Sequence, residues 1–381
     1  MNHSDKLLTV IVPSYNMEEY LPKCLGSLIV PDQDMLERLD IIVVNDGSKD
    51  RTSEIAHDFE RRYPGVFRVI DKPNGNYGSC INAALPMAAG FYVKILDADD
   101  SVDSAIFWLF LKALLDDSRS REGTSDIVVT DFSIVDDQGA VKERICQNWH
   151  PWNSEHSLGN IPKNAPRFAL HGVTYRTEMI RSMGYRQTEG ISYTDIEWVI
   201  EPIVAVRRIS YVPLPVVKYL VGRTGQTVQL DTFIRKYQDH FLIAENLVSR
   251  YETRASQCNS DSLSAYNNWL VQFLVQLYST KIYGFPKFHG LLRCRVEGDL
   301  RALDEHIRQH PSLFLETEYA LSGHRWPFFR LIHAWRHHPG TGTAKLLAFG
   351  VFIRVKSIAL CLRALLRRIL GSTSTRDANS I

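Results

Sequence analysis

Apolar residues fall in short blocks through the first hundred positions, with longer amphipathic stretches between them. The blocks at 7–12, 39–44, 66–70 and 91–96 are rich in Val and Ile and have the length of buried strands. The stretches 18–29, 51–63 and 78–89 carry helical spacing, and Ser48, Asp50 and Thr52 offer capping oxygens ahead of the second. Strand and helix alternating in this way predict an α/β fold with a parallel, Rossmann-like sheet and right-handed crossovers. Ligands of such sheets bind beyond the carboxyl ends of the strands. A further helix is expected over 105–116 and a strand over 127–130, while 148–167, rich in Pro, Asn, Ser and Trp, reads as loop. Beyond Asp231 the pattern is helical to about Leu315, without internal repeats or low-complexity blocks.

Composition adds little until it is divided. The 381 residues are 45% hydrophobic and 23% charged, as in a soluble globular protein, and the formal net charge of +1 points to no nucleic acid. Nine of the 44 basic residues, however, lie between His324 and Gly371, a stretch without Asp or Glu, leaving 35 to face 43 acidic residues elsewhere. Lys345, Lys356, Arg363 and Arg367 fall within about 40° on a helical wheel. Upstream, Trp326, Phe328, Phe329 and Trp335 alternate with Arg325, Arg330 and Arg336, as at a headgroup boundary. Residues 323–371 are therefore expected to contact an anionic membrane surface. No run reaches transmembrane length, the apolar start is too short for a signal peptide, and the six cysteines lack zinc-like spacing and suit a reducing compartment. The expected place is cytoplasmic, peripheral on the inner face of the cell membrane.

Candidate chemistry sits at the expected strand ends. Asp97, Asp99 and Asp100 follow the fourth strand, and three carboxylates within four residues repel one another unless a cation sits among them. A hard divalent ion, Mg²⁺ or Mn²⁺, suits an all-oxygen set; it would also bind a diphosphate and neutralise its charge on departure. Read alone, the same cluster suits a solvated acidic turn. Asp46, after the second strand, could accept the imino proton of a uracil-type base or serve an Asx turn. Tyr15, after the first, could stack on a base. The run Gly75-Asn76-Tyr77-Gly78 offers backbone amides to phosphate or a plain turn. Arg176 and Arg223 have the bidentate geometry that phosphate favours, with Arg223 the candidate to close over a diphosphate. His171 and Trp198 are candidate walls of an acceptor pocket.

Taken together, VIVPSYNMEEYLPKCLGSL, VVNDGSKDRT and GFYVKILDADD resemble the nucleotide-binding half of the family 2 glycosyltransferases, which have the A-type glycosyltransferase fold. The resemblance runs from about Leu7 to Val228. It implies a catalytic domain at 1–230, a helical extension at 231–322 and the basic tail at 323–381. Pro13, Tyr15 and Asp46 would hold the base, Asp97 the ribose or metal, and Asp99 the metal. The segment ISYTDIEW resembles the family's second acidic motif, which makes Asp195 the expected general base of an inverting transfer, with Glu197 the other candidate. One position departs: where the family often has Ala-Arg-Asn, this chain has Cys80-Ile81-Asn82, and Lys72 is the candidate replacement for the missing cation. The implied reaction moves a sugar from a nucleoside-diphosphate donor, with UDP expected, to a glycan or lipid-linked acceptor in surface-polysaccharide synthesis. A sugar-nucleotide pyrophosphorylase would need a glycine-rich basic loop where SYNMEEYLPKC stands, and a non-catalytic membrane-bound scaffold would be expected to lose its acidic motifs.

Overall fold

The computed structural model describes residues 6–121, 123–147, 157–162, 165–223, 232, 235–284, 290–323 and 327–337. The chain divides into two compact units, Met1–Leu270 and Val271–Ile381. In the first, β1 (Leu8–Ser14), β2 (Leu39–Asn45), β3 (Phe67–Asp71) and β4 (Tyr92–Ile95) run parallel in the order β3-β2-β1-β4. Every residue of β1 and β2 is buried, as a sheet covered on both faces requires. Leu8, Val10 and Val12 join Leu39, Ile41 and Val43 in one core cluster with Phe107, Phe110, Leu111 and Leu114 of the helix Ser104–Ser118. The connecting helices are Leu21–Ser27, Thr52–Arg62 and Asn76–Ala84. Asp50 supplies the expected polar start of the second, its Oδ1 accepting from Thr52 N at 3.0 Å.

The rest of the sheet turns it from parallel to mixed. It comprises β5 (Ser101–Val102), β6 (Ile127–Val135), β7 (Val141–Ile145), β8 (Val173–Arg176) and β9 (Ile209–Leu220). β8 lies antiparallel between β4 and β6, while β9 pairs parallel with β6 and antiparallel with β5. β9 holds Pro213 and Pro215, which lack the donor a ladder needs. The β6/β9 register accordingly shifts around Asp131, which pairs with Pro215 while Thr130 pairs with Val212.

This order fixes where a ligand can sit. The chain crosses from β1 to β2 on one side and later returns to place β4 on the other, so the crevice opens at the ends of β1 and β4. Beyond β9 come the helices Tyr237–Ser249, Tyr251–Ala255 and Ser260–Gly284.

The second unit holds Gly290–Arg308, Pro311–Ser322 and Pro327–His337. Here the expectation of a headgroup-facing surface fails for two residues. Trp335 and Arg336 are buried; the Arg336 guanidinium pairs with Asp304, and its Nη1 lies 2.7 Å from Glu318 Oε1. Neighbouring helices thus supply the acidic partners that the segment's own sequence lacks. Lys345, Lys356, Arg363 and Arg367 lie outside the described residues, as does Trp326. Among the described residues no helix is long and apolar enough to cross a membrane.

Candidate active site

A cavity of about 510 Å³ opens at this crevice in the first unit. Pro13, Tyr15, Asp46, Asp97, Asp99, Asp195 and Arg223 all line it, so short motifs far apart in sequence converge on one space. The ends of β1 and β2 are joined by Asp46 N donating to Ser14 O at 2.9 Å. Gly47 turns the chain there with φ +73°, a conformation glycine adopts without strain. Tyr15, which lines the cavity, is 46% exposed.

The acidic turn after β4 has a different partner for each carboxylate. Asp97 Oδ1 accepts from Tyr77 Oη at 2.7 Å. Asp99 Oδ2 lies 2.5 Å from Arg223 Nε. Asp100 is buried; its Oδ1 accepts from Leu220 N at 2.9 Å and its Oδ2 lies 3.3 Å from His171 Nδ1. Burial pushes the Asp97 carboxyl well above its usual range, and the charges of Asp100 and Asp99 push further. Burial also raises Asp100. Such a set favours a cation on electrostatic grounds. Asp97 and Asp99, which line the cavity, could hold it; Asp97, Asp100 and His171 form a second group that could, with one ligand atom from each lying within 4.8 Å of the others.

Beneath the turn lies a cation that sequence reading did not find. Lys94 on β4 is 2% exposed, and its Nζ donates to His171 O at 2.6 Å and Val173 O at 3.2 Å. Burial pulls its pKa down to about 7 against the raising influence of Asp100 and Asp97. By holding these carbonyls Lys94 anchors the short turn Leu170–Gly172 and so places His171 over Asp100. The His171 ring stacks on Tyr219 of β9 with centroids 4.2 Å apart. Burial lowers the pKa of this imidazole, but Asp100 and then Asp97 outweigh it and the net shift is upward.

Across the cavity, Asp195 opens the helix Asp195–Ile200. Burial raises its pKa, while the charges of His171 and Arg167, both lining the cavity, draw it back. Tyr193, just ahead, has φ +66°, a strained conformation for an aromatic residue and one that clusters at functional sites. The segment is held by the helix Asn76–Ala84: Asn82 Oδ1 accepts from Gln187 N at 2.9 Å, and Gly75 O accepts from Gly190 N at 2.9 Å. Gly78 allows the close approach, because a Cβ there would stand 2.1 Å from Thr188 O.

Other candidates are placed elsewhere. Glu197 is fully buried, accepting from Thr188 N and Thr188 Oγ1 at 2.7 Å and from Arg250 Nη2 at 2.9 Å, so it holds the segment and is not a second base. Trp198 packs edge-on against Tyr175 and Tyr185 instead of walling the pocket. Arg176 is paired with Asp126. Lys72 Nζ donates to Asp46 Oδ1 at 2.6 Å, Pro73 O at 2.7 Å and Ser79 Oγ at 2.8 Å. It neutralises the candidate base-binding carboxylate, and it is not among the cavity-lining residues. Ile81 is buried.

Residues 9–121 match the family model for Glycosyl transferase family 2. The uncharacterized glycosyltransferase EpsJ of Bacillus subtilis is 41% identical over 101 residues, 26% of this chain and 28% of EpsJ. The uncharacterized glycosyltransferase YibD of Escherichia coli is 26% identical over 305 residues, covering 76% of each protein. The chain thus spans less than a third of EpsJ's length. A crystal structure of S. aureus TarS 1-349 in complex with UDP-GlcNAc superposes with a TM-score of 0.60 at 19% identity, covering 87% of this chain and 92% of that one. Likeness at that identity is likeness of fold. Taken with the convergent strand-end motifs, these matches show that residues 9–121 are similar to family 2 glycosyltransferases and that the fold is that of the A-type glycosyltransferase structures.

Proposed function

We propose that this chain is an inverting glycosyltransferase. In this reading it moves a sugar from a uridine-diphosphate donor to a hydroxyl of a glycan or lipid-linked acceptor in polysaccharide synthesis. The observation that carries the proposal is one cavity lined both by Asp97 and Asp99 of the acidic turn and by Asp195 at the start of the helix Asp195–Ile200. Pro13, Tyr15 and Asp46 offer the base an apolar edge, a ring face and an acceptor for its imino proton. Asp97 and Asp99 would hold Mg²⁺ or Mn²⁺, which when bound neutralises charge on the departing diphosphate. Arg223, beside Asp99, adds a second positive charge there. Asp195 takes the proton of the acceptor hydroxyl as its oxygen bonds to the anomeric carbon and the bond to the diphosphate breaks. The raised pKa suits a base that must accept a proton near neutral pH. Support for a uridine donor comes from the TarS complex with UDP-GlcNAc, which shares the fold.

The acid-free basic stretch supports a peripheral place on the inner membrane surface, carried by residues 338–371 now that Trp335 and Arg336 are accounted for internally.

The test is a panel of nucleotide sugars offered with Mn²⁺, read by thermal shift and by slow release of free nucleotide. One or more uridine-diphosphate sugars should raise the melting temperature and be hydrolysed slowly. A panel in which no nucleotide sugar does either, with or without metal, would overturn the reading.

A further inference from the structure

The second unit carries a constellation unrelated to nucleotide-sugar chemistry. His333 and His337 stand four residues apart on the helix Pro327–His337, a spacing that puts both rings on one face; their centroids are 4.8 Å apart. Glu318, from the helix Pro311–Ser322, meets both. Its Oε2 lies 2.9 Å from His333 Nε2 and 2.6 Å from His337 Nε2. Its other oxygen, Oε1, accepts from Arg336 Nη1 at 2.7 Å, which fixes the carboxylate with Oε2 turned to the histidines. Two imidazole nitrogens and one carboxylate oxygen thus converge from two helices, all within 4.8 Å of one another.

We propose that Glu318, His333 and His337 form a binding site for a borderline divalent transition metal of the Zn²⁺ class. Two imidazoles with one carboxylate select such ions over Mg²⁺ or Mn²⁺, which prefer all-oxygen sets. The site is thus chemically distinct from the acidic turn at Asp97 and Asp99. Metal–nitrogen bonds of about 2.0–2.1 Å set ligand atoms roughly 3.3 Å apart around a tetrahedral ion, so Oε2, now 2.9 and 2.6 Å from the two imidazole nitrogens, must draw back slightly from each while the nitrogens take up the same spacing. The two histidine side chains are 34% and 39% exposed, which gives the ion an entry path and leaves its fourth position to water. Bound there, the ion would cross-link the helices Pro311–Ser322 and Pro327–His337 and stabilise the folded state.

The probe is Co²⁺, whose visible absorption reports low-coordinate nitrogen ligation, titrated into tag-free full-length protein. Asp97→Asn serves as the parallel background, so that ions at the acidic turn, whether shared with Asp99 or with Asp100 and His171, are not counted. One equivalent should bind with visible absorption in both proteins, be displaced by Zn²⁺, and resist an excess of Mg²⁺. Zn²⁺ should also raise the melting temperature. His337→Gln, a change at a part-exposed side chain, should weaken binding at least tenfold and abolish the Zn²⁺-dependent melting shift with the helical circular dichroism intact. His333→Gln gives the same readout if the first variant folds poorly. Unchanged stoichiometry and absorption in a folded variant, or no uptake by the wild type, would overturn the site.

Discussion

Two groups of carboxylates, one fully buried and one buried or half-buried, lie within the first unit, and they differ in what surrounds them. Glu197 and Glu201 are fully buried. Arg250 lies 2.9 Å from Glu197 and 2.5 Å from Glu201, and Arg254 lies 3.0 Å from Glu201. Asp97, Asp99 and Asp100 face one another across a single turn. Burial raises the pKa of Glu201 in one group and of Asp97 in the other, but the next influences have opposite sign. On Glu201 they are Arg250 and Arg254, which pull it down; on Asp97 they are Asp100 and Asp99, which push it up. The balanced group braces the scaffold behind the second acidic segment, and the crowded group borders an open cavity. Charge left in excess beside a cavity marks a ligand site, whereas charge matched inside the fold marks a brace.

The sharpest way to break this contrast is to unbalance the brace. Arg250→Ala strips a partner from two buried glutamates at once, and losing one side of a buried pair costs about 3–5 kcal/mol. Urea denaturation should show a loss of that size; a change below about 1 kcal/mol would place both carboxylates among ordinary surface charges.

Asp195→Asn should behave in the opposite way. Turnover should fall by about a hundredfold or more, with donor affinity kept. Stability should hold or rise at neutral pH, and the sign follows from the shift. A carboxyl whose folded pKa is raised penalises the fold once pH exceeds its unfolded value, and an amide carries no such penalty. A stability gain confined to low pH, or near-native turnover, would contradict the assignment.

A smaller effect sharpens the link between brace and base. Gly78→Ala places a methyl against Thr188 O, on the segment that Glu197 holds. It should cost about 1–3 kcal/mol and lower turnover more than donor affinity, because Asp195 moves while the acidic turn does not. Equal losses in both would show that the two walls are not separately held.

The sequence revealed one of these groups better than the other. Strands β1 to β4 and the turns after them are legible because a βαβ unit writes its buried strands as contiguous apolar blocks and its ligand contacts as short motifs at their ends. The choice between Asp195 and Glu197 is not legible, since each suits the chemistry. The helix beginning at Asp195 separates them: two residues turn the side chain through about 200°, so Asp195 lines the cavity while Glu197 pairs with Arg250. His171 was legible as a pocket wall and lines the cavity, but Lys94 and the contacts of His171 and Tyr77 with the acidic turn were hidden, because they are made only through the sheet order or a long-range hydrogen bond. β9 was obscured by its prolines, and its carboxyl end carries the contacts of Leu220 with Asp100 and of Tyr219 with His171. In the second unit, the basic residues read as a membrane face because the carboxylates that bury Arg336 come from other helices.

The claim that the crowded carboxylates form the donor's metal site is tested most directly by calorimetric titration of UDP, with Mn²⁺ and with chelator, into the wild type and Asp99→Ala. The wild type should bind UDP far more tightly with Mn²⁺ than without, and the variant should lose that metal-dependent gain while melting at or above the wild-type temperature. Metal-dependent affinity that survives unchanged in Asp99→Ala would contradict it.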